Sequence, residues 1–344
     1  MQTTGAVMCK ARTDASRLGD WQAVVERVGH PPLRQGLEAR ITALLAESGS
    51  SVPLDDYVAL LEDFSKAAEP SATAWLVGSS SELPFGGALD GIALSSPSLG
   101  TALHWMCQYF PLLQDSTLLK LEVGEERATL HYRILDPSIW PRHEDALYTL
   151  GLLSSLLRCA APGSWKHVQV GLEVEQEHAS ADLEAVLKAR VEYGSPTNWL
   201  RFPAALLDAP LSPVHATNGD VLKQLAWRLS RRNQQLPLSD RARQMIYREM
   251  SEGRVSQEHI AKELGVSGRT LRRKLAEEGL SFQELLDDCR MRFATLEFRT
   301  RRGVSLSEMA LRLGYSEHST FSRAFARWAG MAPQQYRRHV AAAA

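Results

Sequence analysis

The stretches VSQEHIAKELGVSGRTLRRKL, from Val255 to Leu275, and VSLSEMALRLGYSEHSTFSRAF, from Val304 to Phe325, carry one pattern twice. Each begins with a serine that can cap a helix, continues through apolar residues to a glycine, and ends in a second apolar-periodic segment. Gly265 aligns with Gly314, and glycine readily takes the left-handed conformation that ends a helix. The duplication therefore predicts two helix-turn-helix units.

The second helix of each unit, which is expected to start at Ser267 or Ser316, is predicted to expose a face that can read DNA. That face carries Arg269, Arg272 and Arg273 in the first unit, and His318, Ser319, Ser322 and Arg323 in the second. Arginine can donate two hydrogen bonds to guanine in the major groove, and serine and histidine can bond several partners. Most arginine-rich helix faces are merely solvated, but the duplication, the turn chemistry and the charge together favour DNA reading.

A long helix is predicted between the two units, from Ser281 to Arg299, opened by a capping box of Ser281 with Glu284. At about 1.5 Å per residue it is roughly 28 Å long. Successive major-groove openings on one side of DNA are about 34 Å apart, so this helix could bridge them. Arg299, Arg301 and Arg302 at its exit are better placed for phosphate contact than for base reading.

This region resembles the AraC/XylS bacterial transcription regulators. The matching residues are S-G-R-T-L-R-R-K-L at 267–275, E-E-G-L-S-F at 277–282 and F-S-R-A-F-A-R-W-A-G-M-A-P-Q-Q-Y-R from Phe321 to Arg337. The resemblance implies two helix-turn-helix units that enter successive major grooves of double-stranded DNA. Gly268 and Phe298 depart from the family pattern, which leaves the class unchanged. The predicted DNA-binding residues are Ser267, Arg269, Arg272, Arg273, Lys274, His318, Ser319, Ser322, Arg323 and Arg327.

The charge is divided along the chain. The net charge is only −1, yet the residues from Val221 onward contain 23 Lys and Arg against 13 Asp and Glu, so residues 1–220 are acidic. A basic last third indicates an anionic partner, although opposite charges could also let the two parts dock on each other. The four cysteines are widely separated, and no apolar run approaches the ~18 residues of a membrane span. We therefore expect a cytoplasmic protein that does not enter a membrane.

The first two thirds predict an α+β domain, because strand patterns are interspersed with helical ones. A β-hairpin is expected on either side of Gly124, a helix from His143 to Cys159, a strand from Trp165 to Val174 and a helix from Ala181 to Val191. The segments SLGTALHWMCQYFPLL (98–113) and YGSPTNWLRFPAALLDAPLS (193–212) resemble the arabinose-binding-type sensor domain of the AraC/XylS branch that includes ornithine-utilisation-type regulators. The resemblance implies a domain that forms homodimers and binds a small molecule, such as an amino acid, an amine or a fatty acid.

Four aromatic residues, Trp75, Trp105, Tyr109 and Trp140, are the candidates for an effector pocket, although aromatics at such spacing are core residues by default. An enzyme is not favoured, because the chain lacks the H-E-x-x-H and G-x-S-x-G motifs. The nearest acid/base cluster is His143-Glu144-Asp145, whose members point in different directions on a helix. No catalytic residue, metal site or cofactor is predicted.

The expected organisation is a sensing and dimerisation domain at 20–205, a linker with a connector helix at 206–235, and a DNA-binding domain at 236–340. The function that fits is a sequence-specific transcription regulator, an activator that contacts RNA polymerase and responds to a small-molecule effector. A metabolite-processing enzyme tethered to nucleic acid is the alternative, and a non-specific architectural DNA protein is a third possibility.

Overall fold

The computed structural model describes residues 11–14, 18, 21, 31–48, 51–67, 72–80, 89, 96–176, 179, 181–211, 219–250, 255–300 and 303–343. The chain divides into two compact units. The N-terminal unit comprises Lys10–Ile134 and Ile139–Arg231, and the C-terminal unit includes Arg232–Ala344. Each unit has a hydrophobic core of its own. In the part of the chain that the structure describes, no helix is both long and apolar enough to cross a membrane.

The N-terminal unit combines helices with two sheets. Its helices are α1 (Pro31–Ser48), α2 (Leu54–Ala67), α3 (Thr73–Ser79), α4 (Leu99–Tyr109), α5 (His143–Ala160), α6 (Leu183–Leu187) and α7 (Gly219–Gln235), of which the residues from Arg232 onward belong to the C-terminal unit. Its strands are β1 (Arg12–Asp14), β2 (Ser51–Pro53), β3 (Thr117–Val123), β4 (Arg127–Ile134), β5 (Gln169–Gly171), β6 (Arg190–Glu192) and β7 (Asn198–Pro203). Strands β1 and β2 pair antiparallel, and the larger sheet has the order β3-β4-β7-β5-β6, in which only β5 and β6 are parallel. The predicted α+β class is confirmed.

Helix α5 forms the centre of the N-terminal core. Its residues from Asp145 to Ser154 are all buried, and it packs against α3. The two helices meet at Gly78 and Gly151: a Cβ at Gly151 would lie 2.8 Å from the carbonyl oxygen of Trp75. Only glycine permits this approach, because any larger residue would force the backbones apart.

The secondary structure of the C-terminal unit consists of helices joined by short turns in its described residues. Its helices are α8 (Leu238–Met250), α9 (Gln257–Glu263), α10 (Gly268–Glu277), α11 (Phe282–Thr300), α12 (Leu306–Arg312), α13 (His318–Ala329) and α14 (Pro333–Ala343). The pairs α9–α10 and α12–α13 form two helix-turn-helix units, and α11 joins them. The prediction of an all-α domain with this arrangement is confirmed.

Two predicted elements of the N-terminal unit are wrong. A short 3-10 helix, Ser164–His167, occupies the start of the expected strand, because Trp165 turns inward and donates its indole N–H to the carbonyl of Leu187 at 2.8 Å. The helix expected from Ala181 to Val191 is only α6, since Lys188 adopts a left-handed conformation with φ of 53° and the chain continues as β6. In both cases the apolar pattern in the sequence is longer than the strand or helix that the structure forms there.

Candidate nucleic-acid interface and effector cleft

The first helix-turn-helix unit is closed by serine caps and one glycine. Ser256 Oγ accepts a hydrogen bond from the His259 N–H at 3.1 Å, which caps α9. Gly265 has a φ of 69°, and the next N–H, that of Val266, returns to the Ala261 carbonyl at 2.9 Å. This is the helix-terminating hydrogen bond that the left-handed glycine makes possible.

Helix α10 buries one side and exposes the other. Leu271 and Leu275 have no exposed surface. Ser267 caps the helix, with its Oγ accepting from the Thr270 N–H at 3.1 Å. The predicted reading groups Arg269, Arg272, Arg273 and Lys274 are all exposed. Arg273 Nη1 lies 2.5 Å from Glu277 Oε1, an exposed pair four residues apart that DNA phosphates or bases could readily replace.

The second unit repeats the first with one more residue in its turn. Ser305 Oγ accepts from the Glu308 N–H at 3.0 Å, Gly314 has a φ of 78°, and the Tyr315 N–H donates to the Ala310 carbonyl at 2.8 Å. The extra residue shifts the start of α13, so its N-cap is Glu317 and not Ser316. The prediction that this helix starts at Ser316 is therefore wrong.

Helix α13 carries fewer charges on its exposed face than α10. Its residues Phe321 and Phe325 are fully buried. Ser322 is half-buried, and the remaining predicted contacts are exposed: His318, Ser319, Arg323 and Arg327. Ser319 Oγ donates to Glu317 Oε2 at 3.1 Å, and Arg327 Nη2 lies 3.2 Å from Asp287 Oδ2 of α11.

Helix α11 holds both units. The predicted capping box is present: Ser281 N–H donates to Glu284 Oε2 at 2.8 Å, and Ser281 Oγ accepts from the Glu284 N–H at 3.2 Å. Its 19 residues correspond to roughly 28 Å. Arg299 is exposed near its end. The other two proposed phosphate contacts, Arg301 and Arg302, lie outside the described residues.

Two arginines that sequence reasoning missed fix the second unit. Arg290 Nε of α11 donates to the Leu313 carbonyl at the end of α12, at 2.9 Å. Arg337 Nη1 of α14 donates to the Val304 carbonyl just before α12, at 2.8 Å. Both satisfy backbone oxygens at the ends of the unit and so fix its orientation. A single sequence gives no signal for such contacts, because they depend on tertiary packing.

The four aromatic candidates of the N-terminal unit do not form one site. Trp75 is buried against Trp165, with ring centroids 5.7 Å apart. Half-buried Trp105 stacks on Tyr109 at 6.0 Å, whereas Trp140 is 39% exposed. The structure thus brings together only Trp105 and Tyr109, and an effector contact at any of the four stays a prediction.

A cleft in the N-terminal unit lies instead beside the start of α5. Its cavity volume is about 40 Å³, and the cleft is partly open to solvent. The described residues that line it are Thr13, Asp14, Tyr57, Phe110, Leu113, Gln114, Asp145, Tyr148, Thr149 and Leu152. None of the four aromatic candidates belongs to this set.

Asp145 is the most deeply buried of the described polar residues that line this cleft, with 1% of its surface exposed. The Tyr132 hydroxyl donates to its Oδ2 at 2.5 Å, and Gln114 Nε2 donates to that hydroxyl at 2.7 Å. Thr13 Oγ1 donates to Gln114 Oε1 at 3.3 Å, which extends the chain of hydrogen bonds to β1. Burial raises the pKa of Asp145 to about 7, even though the Tyr132 hydrogen bond acts in the opposite direction.

The cluster His143-Glu144-Asp145 does not converge on one point. His143 and Glu144 are half-buried, and only Asp145 lines the cleft. Among the residues that the structure describes, no group of three or more His, Cys, Asp or Glu side chains could hold a metal ion. The sequence signal that could have identified Asp145 was an acidic residue within an apolar helix.

Two exposed reading helices, each held by a glycine-terminated partner helix, define a DNA-binding regulator of the helix-turn-helix class. Two family models match the chain: the arabinose-binding domain of AraC transcription regulators, N-terminal, over residues 29–211, and a helix-turn-helix domain over residues 260–339. The chain belongs to the AraC family of DNA-binding transcription regulators, with an arabinose-binding-type effector domain at its N-terminus. Its family is one of regulators and not of enzymes.

Characterised relatives include the ornithine utilization regulator of Pseudomonas aeruginosa, 30% identical over 73% of this chain and 74% of the relative. The regulator VirS of Mycobacterium tuberculosis is 41% identical over 29% of each chain. A solved structure of the transcriptional regulator CdpR from Pseudomonas aeruginosa covers 94% of this chain and 96% of its own, with 22% identity and a TM-score of 0.40.

Proposed function

We propose that this regulator is an effector-dependent activator that reads its promoter through the exposed faces of α10 and α13. The observation that carries the proposal is the division of each helix into two sides. Leu271, Leu275, Phe321 and Phe325 are fully buried, whereas the polar groups between them point away from the core. A helix anchored in this way can enter a major groove without losing its packing.

The two faces would contribute differently to binding. The face of α10 carries four exposed cationic residues, Arg269, Arg272, Arg273 and Lys274. That of α13 carries two, Arg323 and Arg327, together with the hydrogen-bonding groups of His318 and Ser319. We assign most of the salt-dependent affinity to the first unit, because counterion release scales with the number of phosphates neutralised.

The remaining parts of the proposal concern partners. We infer that the N-terminal unit binds a small metabolite, that the chain acts as a homodimer in the cytoplasm, and that it recruits RNA polymerase. The name of the Pseudomonas aeruginosa relative refers to ornithine utilization, which supports an effector from amino-acid or amine metabolism. A fatty acid was the third effector class expected from the sequence.

The test uses the full chain and DNA fragments selected from its own genome. Footprinting of a selected site should show protection in two major-groove segments about one helical turn apart on one side of the duplex. Arg272→Ala should weaken binding to that site, whereas the control Arg228→Ala, an exposed arginine of α7, should leave it unchanged.

The proposal fails if no genomic fragment is retained above non-specific background, or if Arg272→Ala and Arg228→Ala have equal effects. Transcription from a promoter carrying the selected site would then decide the sign of regulation. Increased transcription in the presence of the protein and its effector is the expected result.

A further inference from the structure

The Asp145 carboxylate is incompletely paired for a group so deeply buried. One oxygen, Oδ2, accepts from Tyr132, but Oδ1 has no hydrogen-bond partner among the described residues. A buried carboxylate normally has a cationic partner or several donors, because removing the charge from water costs several kcal/mol. Asp145 Oδ1 could therefore accept a hydrogen bond from a bound ligand.

Arg142, a described cation whose charge acts on Asp145, is engaged elsewhere. Arg142 directs Nε and Nη2 to Glu173 at 3.2 and 3.1 Å, and its Nη1 donates to the Ile134 carbonyl at 2.6 Å. Its charge lowers the pKa of Asp145, but less than burial raises it. Arg142 thus connects Glu173 to the end of β4, and its hydrogen bonds leave Asp145 Oδ1 without a partner in the described part of the chain.

The cleft beside Asp145 has the composition of a site for cations. The described residues that line it include the acids Asp14 and Asp145, and none of those described residues is a lysine, arginine or histidine. Three aromatic rings, of Tyr57, Phe110 and Tyr148, also line it. Aromatic faces attract ammonium groups, and the Asp145 carboxylate would repel a fatty acid or any other anion.

We propose that this cleft is the effector site and that it binds a small aliphatic amine whose ammonium group pairs with Asp145. The inference rests on the proposed function, since it names the chemical class of the effector. Leu113 and Leu152 would contact the aliphatic stem, and Gln114 would hold Tyr132 and Asp145 in place.

Binding should depend on pH, because an ammonium group pairs only with the ionised carboxylate. Since the pKa of Asp145 lies at about 7, amine affinity should be about tenfold weaker at pH 6 than at pH 8. The ionisable and charged groups around Asp145 are Tyr132 on β4, Glu62 on α2, Arg142 before α5, Asp14 on β1 and Tyr148 on α5.

The experiment measures thermal unfolding and binding calorimetry of the full chain at pH 8. The probes are aliphatic mono- and diamines of two to six carbons, with butan-1-amine and butane-1,4-diamine as reference compounds. Butan-1-ol and butanoate serve as neutral and anionic controls of the same length. At least one amine should raise the melting temperature of the N-terminal transition, and both controls should leave it unchanged.

The key variant is Asp145→Asn, which keeps the shape and an acceptor for Tyr132 but removes the charge. It should weaken amine binding at least tenfold and abolish its pH dependence. Asp208→Asn, which removes an exposed acid of the same unit, is the matched control and should bind normally. If Asp145→Asn fails to fold, Leu113→Trp tests the same cleft by filling it, and it too should abolish binding.

The inference is overturned if no amine in the panel binds, if an anionic compound binds instead, or if Asp145→Asn binds amines as well as the parent chain does. Binding to the genomic DNA site is measured in parallel without any ligand. Retention of that DNA together with a negative amine panel would refute the amine site alone, whereas loss of DNA binding would refute the proposed function.

Discussion

The two units differ in where some of their charged side chains lie: at the surface in the C-terminal unit and in the interior in the N-terminal unit. The C-terminal unit displays its arginines on helix faces that are open to solvent, with Arg269, Arg272 and Arg273 all exposed. The N-terminal unit buries Arg142 and Glu173 almost completely, with 3% and 4% of their surfaces exposed. Exposed charges contribute little to stability and are available for a partner, whereas buried charges determine the stability of the fold around them.

The exposed charges are therefore expected to act in DNA recognition, and the buried charges in folding. Removing a charge from the reading helices should change DNA binding and leave folding nearly intact. Removing a charge from the N-terminal core should change folding first.

The largest effect is expected at Glu173. Its carboxylate lies between two buried guanidinium groups, 2.5 Å from Arg133 Nε and 3.1 Å from Arg142 Nη2, and it accepts from Asn198 Nδ2 at 3.2 Å. Glu173→Gln leaves two buried arginines without this shared carboxylate and should destabilise the N-terminal unit by about 3–5 kcal/mol. Denaturant unfolding followed by a signal from the N-terminal tryptophans measures it.

The control for this variant is Asp63→Asn, which removes one partner of the ion pair with Arg40 at 3.0 Å. Both side chains of that pair are at least half exposed. The cost should be below about 1 kcal/mol. Equal costs for the two variants would contradict the distinction between buried and exposed charges.

The second prediction concerns the pH dependence of stability. The pKa of Asp145 is raised by burial to about 7, above its ordinary value near 4. The folded unit therefore binds a proton that the unfolded chain has released, and stability falls as pH rises between about 4 and 7. The contribution of this group is on the order of 4 kcal/mol, fully present below pH 4 and lost by about pH 8. Asp145→Asn should flatten this part of the profile when unfolding is measured at half-unit pH steps.

A profile unchanged by Asp145→Asn would mean that other groups account for the titration. The C-terminal transition of the same samples serves as an internal reference, because Asp145 belongs to the N-terminal unit. Its midpoint should be the same in the parent and the variant at every pH.

The C-terminal unit was the more predictable of the two because its signals are local. A serine cap, a left-handed glycine and apolar residues spaced four apart are each signals within about one turn of helix. Both helix-turn-helix units and α11 could therefore be predicted from the sequence. The error at Ser316 arose from one additional turn residue. That residue moves the cap to Glu317 without changing which side of α13 faces the core.

The N-terminal cleft depends on contacts between distant parts of the chain. Gln114 and Asp145 are bridged by Tyr132, and Thr13 reaches Gln114 across 101 residues. No periodicity or motif in one sequence encodes these pairings. For the same reason the four aromatic candidates, chosen by residue type alone, include Trp75, which packs in the core with Trp165.

The third prediction compares equivalent positions of the two reading helices. Arg273 and Arg323 each lie two residues after the first buried anchor of their helix, Leu271 or Phe321. Arg273→Ala and Arg323→Ala should relax base preference at different positions, about one helical turn apart, and each should cost roughly 1–3 kcal/mol of discrimination. Binding selection from randomised operator libraries measures the preference at every position.

Arg301→Ala provides the contrast for this pair. As a phosphate contact it should weaken binding to all sequences alike and make the salt dependence shallower by about one unit of slope. A uniform loss from all three substitutions would contradict the assignment of Arg273 and Arg323 as base readers.

The smallest effect distinguishes the two turns. Ser267 caps α10 through its hydrogen bond from the Thr270 N–H, whereas Ser316 is exposed and precedes the N-cap of α13. Ser267→Ala should therefore destabilise the C-terminal unit by about 0.5–2 kcal/mol, and Ser316→Ala by less than about 0.5 kcal/mol. Unfolding of the full chain, followed at the C-terminal transition, separates the two. Because both serines are exposed and undergo the same truncation, a larger loss at Ser316 would show that it, and not Glu317, caps the second reading helix.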